Sequence, residues 1–174
     1  MSQIPAAAVA RRVIVGIGAD GKSCIVSDDA APNVTTPRIS KSEVWRVDRL
    51  PADPEDGDGL DAELVTLPAA AGMVYRLATF PPDEDWAATD AAGAQAGPVG
   101  ARAGDASIPG MHATQTVDIS TVISGELYAI LERGETLLRA GDTIVQRGTQ
   151  HAWSNRSGRP ATLVSVMVGA ASLA

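Results

Sequence analysis

The sequence predicts an all-β fold, a sandwich or barrel of antiparallel strands with at most short helices, and three observations carry that reading. Few windows place apolar residues at the three-and-four spacing of an amphipathic helix. Short runs rich in Val, Ile, Thr and aromatic residues recur from end to end, separated by Gly, Pro, Asn and Asp. From residue 111 onwards the interruptions fall at Ser124-Gly125, Arg133-Gly134, Ala140-Gly141 and Ser157-Gly158, at the roughly 8- to 12-residue rhythm, or a little longer, of antiparallel sheets.

The first element is RRVIVGIGADGKSCIVSD (11–28). Gly16, Gly21, Lys22 and Ser23 match the letters of a phosphate-binding loop, and Gly16, Gly18 and Gly21 those of a dinucleotide fingerprint. Both motifs need a helix starting at the last glycine. After Lys22 the chain instead reads SCIVSDDAAPNVTTP, with β-branched residues, Pro32 and no helical repeat. The stretch therefore predicts a hairpin turning at Asp20-Gly21, with Cys24 as a small core residue of its second strand. SEVWRVD (42–48) is the next strand, with Val44 and Arg46 on one side and Trp45 and Val47 on the other. PADPEDGDGLDAEL (51–64) is acidic, rich in Pro and Gly, and reads as an exposed loop. GMVYRLATF (72–80) is a strand stopped by Pro81-Pro82. The Ala/Gly-rich segment 83–110 is a loop or arm, with room for a short helix around Trp86 to Ala92. Beyond it, LYAILERGETLLRAGD predicts a hairpin turning at Arg133-Gly134.

A length of 174 residues suits one domain, 1–174, with a core large enough to need no disulfide, and a single cysteine offers none within the chain. The organisation expected is N-terminal strands and hairpin over 1–82, the arm over 83–110 and the barrel core over 111–170. Strands in the first hundred residues are too few to close a core, so they should extend the barrel's sheets. An exposed edge strand then finds its partner across a homodimer. No apolar run reaches the roughly 18 residues that span a bilayer, and AAAVA is short and followed by Arg11-Arg12. With 21 acidic against 14 basic residues, net charge −7 opposes a polyanionic partner. The reading is a cytoplasmic protein acting on a small organic molecule, with neither nucleic acid nor membrane as partner.

Chemistry concentrates at the two histidines, His112 and His151. In HATQTVDIS a strand would send His112, Thr114, Thr116 and Asp118 to one face. These residues resemble the cupin family of jelly-roll barrels. Its first motif, HxHxxxExxxxxxG, is matched in spacing by His112, Thr114, Asp118 and Gly125. Its second is matched by Gly141-Asp142, Gly148, His151 and Asn155, with Arg147 at the usual proline and one residue fewer between the glycines. The likeness covers roughly residues 104–168. TVDISTVISGE and DTIVQRGTQHAWSNRS look like short cupins of bacterial and fungal metabolic clusters, some of them oxidoreductases.

The resemblance implies a cupin-type jelly-roll β-barrel and one divalent metal ion (Fe, Mn, Ni or Zn) held by His112, Asp118 and His151. Asp118 stands for the family's Glu, and Thr114 replaces a usual His ligand. Two His and one carboxylate form the facial set of non-heme iron oxygenases, so a metal-dependent oxidoreductase is implied. On one straight strand Asp118 would lie about 20 Å from His112, so the chain must bend between them. His112, His151 and Gln146 are the candidate catalytic residues, Gln146 as an oxygen ligand or a hydrogen-bonding guide. Arg147 is a carboxylate clamp or a surface arginine. The alternatives are a metal-free lyase or isomerase using a histidine as acid or base, and a non-catalytic small-molecule-binding barrel.

Overall fold

The computed structural model describes residues 9–60, 67–88 and 100–171. Strands are β1 (Arg11–Ile17), β2 (Ser23–Ala30), β3 (Asn33–Thr35), β4 (Ser40–Val47), β5 (Met73–Phe80), β6 (Arg102–Ala103), β7 (His112–Ala113), β8 (Thr116–Ser124), β9 (Glu126–Leu131), β10 (Gly134–Arg139), β11 (Thr143–Arg147), β12 (His151–Ser154) and β13 (Ala161–Gly169). They form a five-stranded sheet in the order β10-β9-β12-β7-β6, a six-stranded sheet in the order β11-β8-β13-β5-β4-β3, and a separate two-stranded ribbon, β1-β2. One helical turn, α1 (Asp83–Trp86), sits nearer the prolines than expected, and residues 89–92 of the expected helix lie outside the described residues. The same holds for residues 61–64 of the acidic loop, whose residues 51–60 carry neither helix nor strand. Among the described residues no helix is long and apolar enough to cross a membrane.

The two large sheets face each other across a core of Val122, Ala161 and Leu163 from one and Leu127, Ala129 and Leu138 from the other, with Phe80, Ile144 and Trp153 against it. Leu127 and Val122 are almost wholly buried; each such side chain contributes about 1.5–3 kcal/mol. Gly125 joins β8 of one sheet to β9 of the other. Its φ of +73° and the 2.7 Å from an added Cβ to the Pro160 carbonyl oxygen explain why the corner takes no side chain.

The N-terminal hairpin is as expected, with Gly21 at φ +75° and the Gly21 amide donating to Gly18 O. Because β2 follows Lys22 directly, the helix a phosphate loop requires is replaced by a strand. Two expectations are corrected. Strands β3, β4 and β5 do extend the six-stranded sheet, but β1 and β2 pair only with each other. Cys24 is exposed rather than in the core, because the outer strand of this ribbon has no second sheet over it. The later hairpin turns over Glu132-Arg133, and Gly134 opens β10 with φ +98°.

Candidate active site inside the barrel

The inner face of the six-stranded sheet is laid out in rows. Across β11, β8, β13 and β5 one row reads Gln146, Asp118, Met167 and Val74. The next, across β8, β13, β5 and β4, reads Ser120, Ser165, Arg76 and Glu43, and the third Val122, Leu163, Ala78 and Lys41. Apolar residues thus gather toward one end of the interior and polar ones toward the other. Opposite the polar rows, β7 and β12 of the five-stranded sheet place His112 and His151 directly across from each other, their ring centroids 4.4 Å apart.

The bend required between His112 and Asp118 is present. The chain leaves the five-stranded sheet after Ala113 and enters the six-stranded sheet at Thr116, so that His112, Thr114, Asp118, Gln146 and His151 line one cavity of about 90 Å³. Trp153 packs edge-on to the His151 ring at 5.9 Å and forms part of the wall.

Each imidazole is oriented from behind. His112 Nδ1 lies 2.7 Å from Gly110 O, and His151 Nδ1 lies 2.9 Å from Thr149 O. A carbonyl oxygen only accepts, so both Nδ1 atoms carry the proton and Nε2 is left as each ring's acceptor. Burial, reinforced by the neighbouring His151, lowers the His112 pKa to about 4. Burial also lowers that of His151. Both rings are therefore neutral at cellular pH, and protonating one makes protonation of the other harder.

Asp118 is buried, and burial raises its pKa against the opposing effects of the Thr116 hydroxyl, Arg76, His112 and the Thr114 hydroxyl. Thr114 and Thr116 are themselves hydrogen-bonded through their hydroxyls at 2.6 Å. Asp118 Oδ1 and Gln146 Nε2 are buried without a hydrogen-bond partner. A buried orphan of this kind is costly, and a bound molecule supplying the missing groups would recover that cost.

Three charged residues absent from the expected site share this interior. Arg76 Nη2 pairs with Glu43 Oε1 at 3.1 Å, both nearly inaccessible to solvent. Burial raises the pKa of Glu43 and lowers those of Arg76 and Lys41. Arg76 and Lys41 line the histidine cavity. Their signal in the sequence is the alternation of GMVYRLATF: Val74, Arg76 and Ala78 share the inward face, and a charge there is out of place in an ordinary core. On β4 the register shifts between Glu43 and Trp45, and this bulge breaks the simple alternation expected for 42–48.

Asn155, the last position of the second motif, is structural. Its amide donates to Phe80 O and Arg159 O, and its Oδ1 accepts from Ser157 N and Oγ. Asp83 of α1 ties the same corner through Ser154 Oγ at 2.6 Å and Asn155 N at 3.0 Å. Tyr128 lies beneath the Arg156 guanidinium, 4.1 Å from ring centroid to Cζ.

No family model matches the chain. Over 48 residues it is 48% identical to phomopsin biosynthesis cluster protein C′ of Diaporthe leptostromiformis, 27% of this chain and 25% of the relative. Over 49 residues it is 43% identical to the cupin-domain-containing oxidoreductase virC of Hypocrea virens, 28% of this chain and 25% of the relative. With its two facing antiparallel sheets, the chain resembles a cupin barrel. Over 50 residues it is also 52% identical to oryzines biosynthesis cluster protein J of Aspergillus oryzae, 28% of each chain. The matched part spans about a quarter of the length of these curated relatives. Among solved structures, the chain is similar to AerE from Microcystis aeruginosa, with TM-score 0.46, 15% identity, and coverage of 82% of this chain and 47% of that one. A cupin from Shewanella frigidimarina gives TM-score 0.44, 13% identity, and coverage of 80% and 85%.

The metal implied by the resemblance can be tested against the donors present. The two imidazoles suit it: both are neutral, both are held through Nδ1, and both keep Nε2 available. The third donor does not complete the set, because among the described residues no three His, Cys, Asp or Glu side chains are disposed to hold a metal ion. Aspartate is one methylene shorter than the family's glutamate, and Thr116 and Thr114 hydrogen-bond its carboxyl. Thr114 is thus part of a hydroxyl network rather than a fourth ligand.

Proposed function

We propose that this cupin barrel is a small-molecule enzyme that moves a proton on a carbonyl compound, an isomerase or lyase with His112 and His151 as its working groups. The observation that supports this most is the pairing of acceptor and donor in one cavity: two neutral imidazoles offering Nε2, and Gln146 Nε2 buried without a partner. In such a step an imidazole Nε2 takes the proton from the carbon beside the carbonyl. The C–H electron pair forms the C=C bond, and the carbonyl π pair moves to oxygen.

The Gln146 amide and the Lys41 cation, which line the same cavity, would stabilise that developing negative oxygen. The imidazolium then returns its proton to another carbon, completing an isomerisation, or a leaving group departs, completing an elimination. A free pKa of about 4 makes His112 a proton acceptor throughout the cellular range. An anion forming beside it raises its basicity as the proton moves, because the ion pair shares a low dielectric.

A second reading is the metal-dependent oxidoreductase, favoured by the Nδ1–carbonyl bonds that free both Nε2 atoms and by the local likeness to the oxidoreductase virC. His112 and His151 would hold the ion, and a bound metal would supply Lewis acidity. The two readings separate in one experiment: deuterium incorporation into a panel of small keto acids in D₂O, followed by proton NMR. The proposal expects exchange in chelator-treated protein and its loss in His112→Ala and His151→Ala. Oxidised product, read by mass spectrometry and formed only on adding Fe(II), Mn(II), Ni(II) or Zn(II) in air, would favour the second reading, and neither exchange nor oxidised product would sink both.

A further inference from the structure

The histidine cavity encloses about 90 Å³. A larger cavity of about 410 Å³ lies at the seam where the edges of the two sheets meet, within the roughly 300–1,000 Å³ range of ligand pockets. Its centre is the crossing segment 113–117. Arg147, the last residue of edge strand β11, is in register with Val117 on one side of that segment. Arg102, the first residue of edge strand β6, is in register with Ala113 on the other. Both arginines line the cavity; Ala101, Ala113, Val117 and Ala170 give its wall an apolar part, and Thr114, Gln115 and Thr116 a polar one.

The charge at this seam runs against the rest of the molecule. Six arginines, Arg11, Arg12, Arg46, Arg76, Arg139 and Arg156, are paired with carboxylates. Arg102 and Arg147, like Arg49, Arg133 and Arg159, have no ion pair among the described residues, and these two line one cavity in a chain whose net charge is −7. Two arginines lining one cavity offer planar forks to a carboxylate, and the alanines and Val117 beside them an apolar surface to the body attached to it.

We infer that the seam cavity is a binding site for a small organic carboxylate with an apolar body, clamped by Arg102 and Arg147. The site uses neither imidazole, so it stands or falls apart from the proton-transfer reading. Thr114 lines both cavities, so its hydrogen-bonded pair with Thr116 is the wall between the carboxylate seat and the histidines.

The test is calorimetric titration of the full chain with 3-phenylpropanoate, with 3-phenylpropanamide as the uncharged control and inorganic phosphate as the bare anion. Saturable binding of the carboxylate is expected, with about a tenfold loss in Arg102→Gln and in Arg147→Gln and a larger loss in the double variant. His151→Ala should bind as wild type does, and unfolding temperatures measured alongside confirm that the variants are folded. The inference is overturned by no saturable binding to wild type, by equal binding of the amide, by phosphate binding as tightly as the carboxylate, or by undiminished affinity in the double arginine variant.

Discussion

The depressed basicity of His112 has a consequence for stability that can be worked from the structure. In the unfolded chain an imidazole titrates near 6.5, and in the barrel burial and His151 bring His112 to about 4. Between these values the unfolded chain binds a proton that the folded one refuses, so acidification favours unfolding. The sign is that of a base made weaker by folding: the contribution is unaffected above about pH 6.5, and stability is lost as pH falls toward 4. At about 1.4 kcal/mol per pH unit, the loss attached to His112 between pH 7 and pH 4 is about 3 kcal/mol. Asp118 and Glu43, whose pKa values burial raises, act in the opposite sense, stabilising the fold as they take up protons. The total pH profile therefore mixes both signs, and a variant isolates the histidine. Urea unfolding of chelator-treated wild type and His112→Gln at pH 7 and pH 4 should show the variant losing about 3 kcal/mol less on acidification. Equal losses in the two proteins would refute the claim that His112 is held neutral by its surroundings.

Three further outcomes are expected. Lengthening the carboxylate and restoring the absent imidazole, in Asp118→Glu with Thr114→His, should create a site binding one Zn(II) or Ni(II) per chain, on the order of a hundredfold or more tighter than wild type by calorimetric titration; unchanged affinity would show that side-chain reach is not what separates this barrel from a metal site. Replacing Arg76 alone by Met should cost about 3 kcal/mol in denaturant unfolding, because it leaves Glu43 buried without its partner, and adding Glu43→Leu should recover part of that loss. The exposed row Val13, Val15 and Ile17 of the β1-β2 ribbon, with Val15 and Ile17 70% and 72% accessible, is the surface on which a homodimer is expected; Val15→Asp with Ile17→Asp should shift the mass measured by light scattering from dimer to monomer.

Much of this molecule is legible in its sequence, for identifiable reasons. Punctuation by Gly125, Gly134 and Gly141 marks real corners, because each has positive φ, which few other residues adopt. His112 and His151 are legible as a pair through their motif spacing, and their cross-strand register places them face to face. The charged interior is harder to read. Arg76 lies on the inward face of an otherwise apolar alternation, but its meaning depends on Glu43, and the two meet only through strand pairing between β4 and β5. The bulge on β4 is invisible to a period-two reading, and nothing in the composition of β1 and β2 says that no second sheet covers them. The seam cavity is likewise a product of topology, since Arg102 and Arg147 are 45 positions apart and meet because both strands end beside one crossing segment.

The most direct measurement is the state of the two rings themselves. Long-range nitrogen–proton NMR spectra of the chelator-treated, nitrogen-15-labelled protein, recorded from pH 7 to pH 4, report the tautomer and titration of each histidine. The account predicts Nδ1–H tautomers for both His112 and His151, with His112 unprotonated until the pH approaches about 4. Nε2–H tautomers would contradict it by turning a donor rather than an acceptor to the cavity, and a His112 that titrates near 6.5 would contradict it by showing that burial does not hold the ring neutral.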